Sequence, residues 1–356
     1  MFIYYKVIQE TYWRLPTSFM IVELLMFLAG IFLVYLTSTQ LGIKPRIFAL
    51  LFGLVPIVNL FVIHMIIGIC SREIRLEKTR GIRDSKRAGT QICATKYPIL
   101  LVHGVFFRDS EQINYWGRIP KDLADNGARI FYGEHNSASS VERSAKELGE
   151  RIDQILEETG CEKVNIIAHS KGGLDARACI ANGYANKVAS LTTINTPHRG
   201  CEFADYYLNK IPKETQEKIA EKYNVAAKAI GDRHPDLIAA VTDLTAHACK
   251  MRNEIIKNDP NVYYQSVGSV LKSAASGRFP LNLTHGIVKM FDGENDGLVG
   301  VDSFPWGERY ILLRNHKSRS GISHADMIDL DRANIKGFDV REFYVQLVAE
   351  LKNKGF

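Results

Sequence analysis

Hydrophobic positions divide the chain into two parts with different patterns. Near the N-terminus stand two long apolar runs, 19–36 and 47–70, each close to the length that spans the hydrocarbon of a bilayer. A cleaved signal peptide has a shorter apolar core and no second run behind it. The pattern therefore predicts a membrane anchor over residues 1–70, with two transmembrane helices at about 19–36 and 47–70. A buried core helix is the alternative for the first run, because it contains Glu23.

After Gly89, short apolar runs alternate with amphipathic segments, which predicts a mainly parallel sheet covered by helices. The predicted strands are PILLVHG, ARIFYGEH, KVNIIAHS and VASLTTINTP. The predicted helices are YWGRIPKDLADNG, SSVERSAKELGERIDQILEETG, GGLDARACIANG and VREFYVQLVAELKNK. Ser139, with Glu142 three residues later, is typical of a capping box, and Gly160 would end that second helix.

Residues from about 201 to 250 interrupt this alternation. They are helical in pattern, polar with apolar stripes, and stand where a sheet enzyme would carry an inserted cap. The sequence predicts one domain of sheet and helices over 91–356, with a helical lid at about 201–250. Ordinary packed helices are the alternative interpretation of this segment.

Charge is concentrated between the two parts. The formal net charge is +6, and the linker 71–90 holds seven basic and three acidic residues, whereas the chain after residue 90 is balanced. This distribution argues against a nucleic-acid partner. A basic linker beside a membrane span suits anionic headgroups and marks the cytoplasmic side. We therefore expect a membrane protein whose domain 91–356 lies on the cytoplasmic face.

The six cysteines are scattered and form no C-x-x-C pair. Zinc-ligand spacing is absent from the sequence, and a domain of this size needs no disulfide framework to bury its core. Thiols packed in the core are the expected state.

The stretch IIAHSKGGL, residues 166–174, contains the most informative serine of the chain. A nucleophile elbow is a sharp turn from a strand into a helix with serine at its tip, and it requires small residues two positions before and after that serine. Ala168 and Gly172 occupy those positions around Ser170. The pattern predicts a nucleophilic serine, and an ordinary strand-to-helix junction is the alternative.

A serine nucleophile needs a histidine base and a carboxylate that orients it, and in enzymes with this elbow they follow in the order acid, then histidine. The acid is expected in a loop after a strand, and IVKMFDGENDGLV provides that setting with three candidates, Asp292, Glu294 and Asp296. His324 in SGISHADMIDL is the preferred base, and His316 is the alternative. The other histidines considered have the wrong order or fall in or before the lid: His198, His234, His247 and His285.

Two backbone amides must also stabilise the oxyanion that forms during acyl transfer. One should belong to Lys171, which follows the serine and begins a helix. The second is expected from VHGVFF, where Gly104 permits a turn and the Val105 amide can point into the site. Phe106 and Phe107 would suit an apolar acyl pocket, although two aromatic residues there could equally belong to the core.

These motifs together resemble the bacterial true lipases of lipolytic family I. The similarity covers most of residues 97–335 and runs through PILLVHG, YWGRIPKDLADNGARIF, VNIIAHSKGGLDAR, NTPHRG, NDGLV and the H-A-D at 324–326. The resemblance implies an α/β-hydrolase fold and triacylglycerol substrates. It implies Ser170 as nucleophile, Asp296 as acid and His324 as base, with the oxyanion amides at Val105 and Lys171.

The chain departs from that family in two places. Ala168 replaces the glycine that many members have in the elbow, and the calcium site of larger members is incomplete. Asp326 matches one calcium ligand, but 261–291, where the second acidic ligand is expected, contains no Asp or Glu. We expect neither a metal nor another cofactor.

The combined interpretation is a membrane-anchored serine hydrolase that cleaves carboxylic esters of lipids through an acyl-enzyme. Two alternatives stay open: an acyltransferase or thioesterase that uses the same triad, and a catalytically inactive hydrolase-fold module that binds membranes. The expected partners are a lipid ester substrate and the membrane itself. The resemblance points toward secretion, because most lipases of this family are secreted, whereas the charge distribution favours the cytoplasmic face.

Overall fold

The computed structural model describes residues 2–53, 55, 57–105, 115–136, 138–229, 231–277, 281–317 and 320–356. The chain forms two compact units, Met1–Arg83 and Asp84–Phe356.

The first unit is helical. It contains α1 (Phe2–Thr37), α2 (Ile43–Phe52) and most of α3 (Val58–Arg87). Within the described residues, Thr17–Thr37 of α1 is the one helical stretch long and apolar enough to cross a membrane, with a mean hydropathy of 2.5. This stretch coincides with the first predicted span.

The second apolar run does not form one continuous helix. Helix α2 ends at Phe52 and α3 begins at Val58. Between them Ile57 has φ of 69°, a left-handed conformation that is unfavourable for a β-branched residue. Pro56 lies outside the described residues, but proline has no amide N–H to continue a helix. A second spanning helix at 47–70 is therefore not confirmed.

The second unit is built around a parallel sheet of six strands in the order β2-β1-β3-β4-β5-β6. The strands are β1 (Ile99–Val102), β2 (Ile130–Tyr132), β3 (Val164–His169), β4 (Val188–Ile194), β5 (Tyr263–Ser269) and β6 (Arg309–Leu313). The helices are α4 (Ile119–Asp125), α5 (Val141–Thr159), α6 (Lys171–Cys179), α7 (Glu202–Lys210), α8 (Lys213–Ala229), α9 (Leu237–Thr242), α10 (Ala246–Ile255), α11 (Leu281–Asp292) and α12 (Val340–Asn353).

Both faces of the sheet are buried, which explains why its strands are apolar without alternation. Helices α5 and α6 cover one face, where Leu100 and Ile166 pack in the core. Helices α4 and α12 cover the other face, where Leu101 and Ile167 pack in a second core cluster. Neighbouring strand residues thus enter opposite cores, as the two-residue period of a strand requires.

The four predicted strands and the helices between them are present. Strands β5 and β6 are additional, and the segment 287–291, interpreted as a strand before the acid, belongs to α11. The N-cap of α5 is Ser140, one residue after the predicted Ser139, and its Oγ accepts the Arg143 amide at 3.3 Å. Gly160 ends this helix with φ of 65°, as predicted.

Candidate active site

Ser170 stands in a strained turn between β3 and α6. Its φ of 55° and ψ of −132° lie outside the conformations that serine ordinarily adopts. A Cβ atom at Gly172 would lie 2.3 Å from the carbonyl oxygen of His103, so that position accepts only glycine. Ala168 is fully buried within β3, between Val102 of β1 and Thr193 of β4. The small flanking residues therefore allow the turn for the reason the sequence predicted.

Gly104 brings the end of β1 against this turn. A Cβ atom at Gly104 would lie 2.7 Å from the Cβ atom of Ser170. Val105 follows and is buried, and the amide of Lys171 is at the N-terminus of α6, where helix amides have no intrahelical acceptor. Phe106 and Phe107, considered above for an acyl pocket, lie outside the described residues.

Asp296 and His324 are joined by a hydrogen bond of 2.6 Å between Oδ2 and Nδ1. The other carboxylate oxygen of Asp296 accepts the amides of Leu298 at 2.9 Å and Val299 at 2.8 Å. Asp296 has no exposed surface, and these bonds hold its carboxylate in one orientation. With Nδ1 occupied, Nε2 is the ring nitrogen of His324 that faces away from the acid.

The ring of His324 lies beside the serine turn. Its centroid is 4.4 Å from that of His169, the residue directly before Ser170. Nδ1 of His169 shares a 2.6 Å hydrogen bond with the hydroxyl group of Tyr115. Burial, together with the nearby His324, holds the pKa of His169 well below its ordinary value. His169 is therefore neutral and does not compete for a proton at neutral pH.

Asn195 completes the surroundings of the acid and was not singled out by the sequence. It follows β4, and its Nδ2 donates to Oδ2 of Asp296 at 2.6 Å and to Oγ of Ser269 at 2.7 Å. The available signal was its place at the end of a predicted strand, because the carboxyl ends of parallel strands meet at one edge of the sheet.

The other candidate acids have different partners. Asp292 accepts the amide of Glu202 at 2.9 Å and that of Phe203 at 3.3 Å, at the N-terminus of α7. Burial raises the pKa of Asp292, although those two hydrogen bonds oppose the effect. Glu294 forms an ion pair with Arg314 that lowers the pKa of its carboxyl group.

The remaining histidines are placed apart from Asp296. His316, His234 and His247 are exposed. His198 is buried between Arg177 and Thr193, and Nε2 of His285 bonds to the carbonyl oxygen of Leu271 at 3.0 Å. Of the two candidate bases, the structure brings His324 and not His316 to the acid.

The donor set for calcium is poor. Oδ2 of Asp326 accepts the amide of Ser323 at 2.8 Å. Across the part of the chain that the structure describes, no group of three or more His, Cys, Asp or Glu side chains is arranged to hold a metal ion. The residues present do not fit the calcium site that the resemblance implies.

Comparison with known proteins supports the fold. Residues 97–266 match the family model of the alpha/beta hydrolase fold. The chain is 33% identical to a triacylglycerol lipase of Burkholderia plantarii over 201 residues, which cover 53% of this chain and 55% of the relative. It is also 33% identical to a triacylglycerol lipase of Pseudarthrobacter phenanthrenivorans, covering 51% of this chain and 60% of the relative.

The chain thus spans little more than half the length of these curated relatives. Among solved structures, it superposes on the Staphylococcus hyicus lipase with a TM-score of 0.56 at 19% identity, covering 73% of this chain and 98% of that one. The protein therefore has the α/β-hydrolase fold, and its sequence is similar to those of triacylglycerol lipases.

Proposed function

We propose that this protein is a carboxylic ester hydrolase that cleaves lipid esters with Ser170 as nucleophile, His324 as general base and Asp296 as the orienting acid. The observation that carries the proposal is the buried 2.6 Å bond between Asp296 and His324, beside the strained turn at Ser170. The similarity to triacylglycerol lipases supports an ester substrate.

The proposed reaction has two halves. Nε2 of His324 takes the hydroxyl proton of Ser170 while the oxygen attacks the ester carbonyl, and the amides of Val105 and Lys171 stabilise the oxyanion. His324 then gives the proton to the leaving alcohol, and an acyl-enzyme remains on Ser170. Water then attacks the acyl carbonyl carbon while it loses a proton to His324. The bond between the acyl carbon and Oγ of Ser170 breaks, His324 returns its proton to Oγ, and the fatty acid leaves. Asp296 stays ionised throughout and stabilises the imidazolium that forms twice.

We also propose how the protein reaches its substrate. Residues 1–70 attach the chain to a membrane as a hairpin, with 17–37 as its first span, and the basic linker 71–90 contacts anionic headgroups. Helices α7 to α10, which occupy most of the segment 201–250, form the lid. The catalytic domain lies on the cytoplasmic face.

The test of the proposal uses the purified full-length chain in detergent. A fluorophosphonate probe should label Ser170, and a panel of triacylglycerols, short-chain esters and thioesters should yield free fatty acid in the presence of water. Product analysis with added alcohols separates hydrolysis from acyl transfer, because a transferase would form a new ester preferentially. A folded chain that is neither labelled nor active would instead be an inactive module, and the proposal would fail.

A further inference from the structure

A buried ion pair lies directly behind the turn at Ser170. Nζ of Lys171 donates to Oδ1 of Asp175 at 2.6 Å and to Oγ of Ser144 at 3.2 Å. The side chains of Lys171 and Asp175 are only 1% and 2% exposed. Removing two charges from water carries a free-energy cost that largely cancels their mutual attraction, so such pairs contribute little net stability. The oxyanion amide of Lys171 would be equally available with an apolar side chain at this position.

The contact continues from Asp175 to the other side of the site. Its Oδ2 lies 3.6 Å from Nε2 of His135. The ring of His135 stacks on that of His103, with centroids 4.0 Å apart and planes 8° from parallel. Nε2 of His103 also lies 3.1 Å from the carbonyl oxygen of His135. A row of buried side chains thus connects the residue after Ser170 with the residue before Gly104.

This row lies at the edge of the sheet, where the pairing between β1 and β3 ends. Strands β1 and β3 pair as far as Val102 and Ala168. The two amides assigned to the oxyanion lie beyond that last pair, at Val105 after the end of β1 and at Lys171, where α6 begins after β3. An oxyanion hole works only when its donors are held in place before the charge develops, within about 0.5 Å of the productive geometry.

We propose that Lys171 and Asp175 are positioning residues, which act through His135 and His103 to fix the Val105 amide relative to the Lys171 amide. The proposal rests on the proposed function, because it presupposes that these two amides stabilise an oxyanion. The residue at 171 then has two separate roles: its backbone contacts the substrate, and its side chain holds the opposite donor in place.

The main test removes both charges together, at nearly constant volume, in Lys171→Met/Asp175→Asn. No unpaired charge remains buried, so the domain should fold. We expect kcat for ester hydrolysis to fall by about 10- to 100-fold, less than the loss of a donor outright, with KM nearly unchanged. The rate of fluorophosphonate labelling should fall in parallel.

A second buried pair supplies the matched control. Arg341 of α12 and Asp122 of α4 form an ion pair with side chains 9% and 6% exposed. The variant Asp122→Asn/Arg341→Met should change the melting temperature at least as much as the first double variant, yet keep wild-type kcat. This comparison separates positioning from a general loss of stability.

A third variant keeps the proposal falsifiable if the first fails to fold. His135→Phe preserves the stacked ring but removes the nitrogen that faces Asp175, and kcat should fall about tenfold or more by the same argument. Wild-type kcat in either folded variant overturns the positioning role. Failure of the proposed function is distinct, because wild-type protein would then lack activity or Ser170→Ala would retain it.

Discussion

His324 is attached to Asp296 twice. Its ring Nδ1 lies 2.6 Å from the Asp296 carboxylate, and its backbone amide donates to the Asp296 carbonyl oxygen at 2.9 Å. The main-chain bond fixes where the histidine loop passes, and the side-chain bond fixes which ring nitrogen is left for proton transfer. Two loops separated by 28 residues therefore behave as one unit at the candidate site.

Replacing Ser170 by alanine tests the nucleophile. We expect Ser170→Ala to abolish fluorophosphonate labelling and to lower ester turnover by about four to six orders of magnitude, because the acyl-enzyme cannot form. The melting temperature should not fall below that of the wild type, because the substitution removes only a hydroxyl group and leaves the backbone of the turn unchanged. Turnover close to wild type in the folded variant would exclude Ser170 as nucleophile.

Paired substitutions test the acid and the base. Asp296→Asn and His324→Ala should each lower kcat by about 10⁴, because an imidazole in the wrong tautomer, or none at all, cannot accept the serine proton. Asp292→Asn and His316→Ala are the matched controls, each within a few residues of its counterpart in the sequence, and should change kcat only slightly. A larger loss of kcat in the controls than in the first pair would assign the roles of acid and base to Asp292 and His316 instead.

Chelation tests the calcium expectation. Because the second acidic ligand is missing and a hard cation gathers several oxygen ligands, a chelator should leave activity and melting temperature nearly unchanged. A large fall in melting temperature that added calcium reverses would show that another set of oxygens binds the ion.

Buried neutral histidines should make stability depend on pH. Burial lowers the pKa of His103 from 6.5 to about 3, and it holds the pKa of His198 well below 6.5. The unfolded chain takes up these protons below pH 6.5 and the folded protein does not, so acidification favours unfolding. Each such histidine reduces the free energy of unfolding by about 1.4 kcal/mol per pH unit in that window.

Denaturant titrations of the wild type and of His198→Gln, in detergent between pH 7 and 4.5, measure this contribution. The slope of the unfolding free energy against pH should be smaller in His198→Gln by the contribution of one histidine, about 1.4 kcal/mol per pH unit. Equal slopes in the two proteins would show that His198 is protonated in the folded state or stays neutral in both states.

Protease accessibility tests the side of the membrane. Two spans return the chain to its starting side, and positive residues beside a span resist translocation, so the catalytic domain should be protected in intact cells. Protease should digest it only after permeabilisation, with a protein of known cytoplasmic location as control. Digestion in intact cells would reverse the assignment and would favour a single span at 17–37.

Local patterns in the sequence were sufficient for much of the fold. The run VNIIAHS and the small residues on either side of Ser170 predict a buried strand and a sharp turn, because both depend on neighbours within a few positions. The same holds for α5, whose end at Gly160 needs only a residue that tolerates positive φ. The predicted N-cap of α5 was one residue too early, because the sequence does not show which of two adjacent serine hydroxyl groups accepts the helix amide.

Contacts between residues that are distant in the sequence depend on the tertiary structure. Residue spacing left Asp292, Glu294 and Asp296 equally possible, and only family resemblance favoured the last; the fold brings Asp296 to His324 and to Asn195, which is 101 residues away. That meeting requires β4 to lie beside β5, an order that no local pattern specifies. The contacts of Lys171 with Ser144 and of Asp175 with His135 have the same origin. Short-range sterics and apolar periodicity act between neighbours in the chain, and they therefore predict the helices, the strands and the turn at Ser170. The contacts between distant residues follow from the strand order, which depends on packing across the whole sheet.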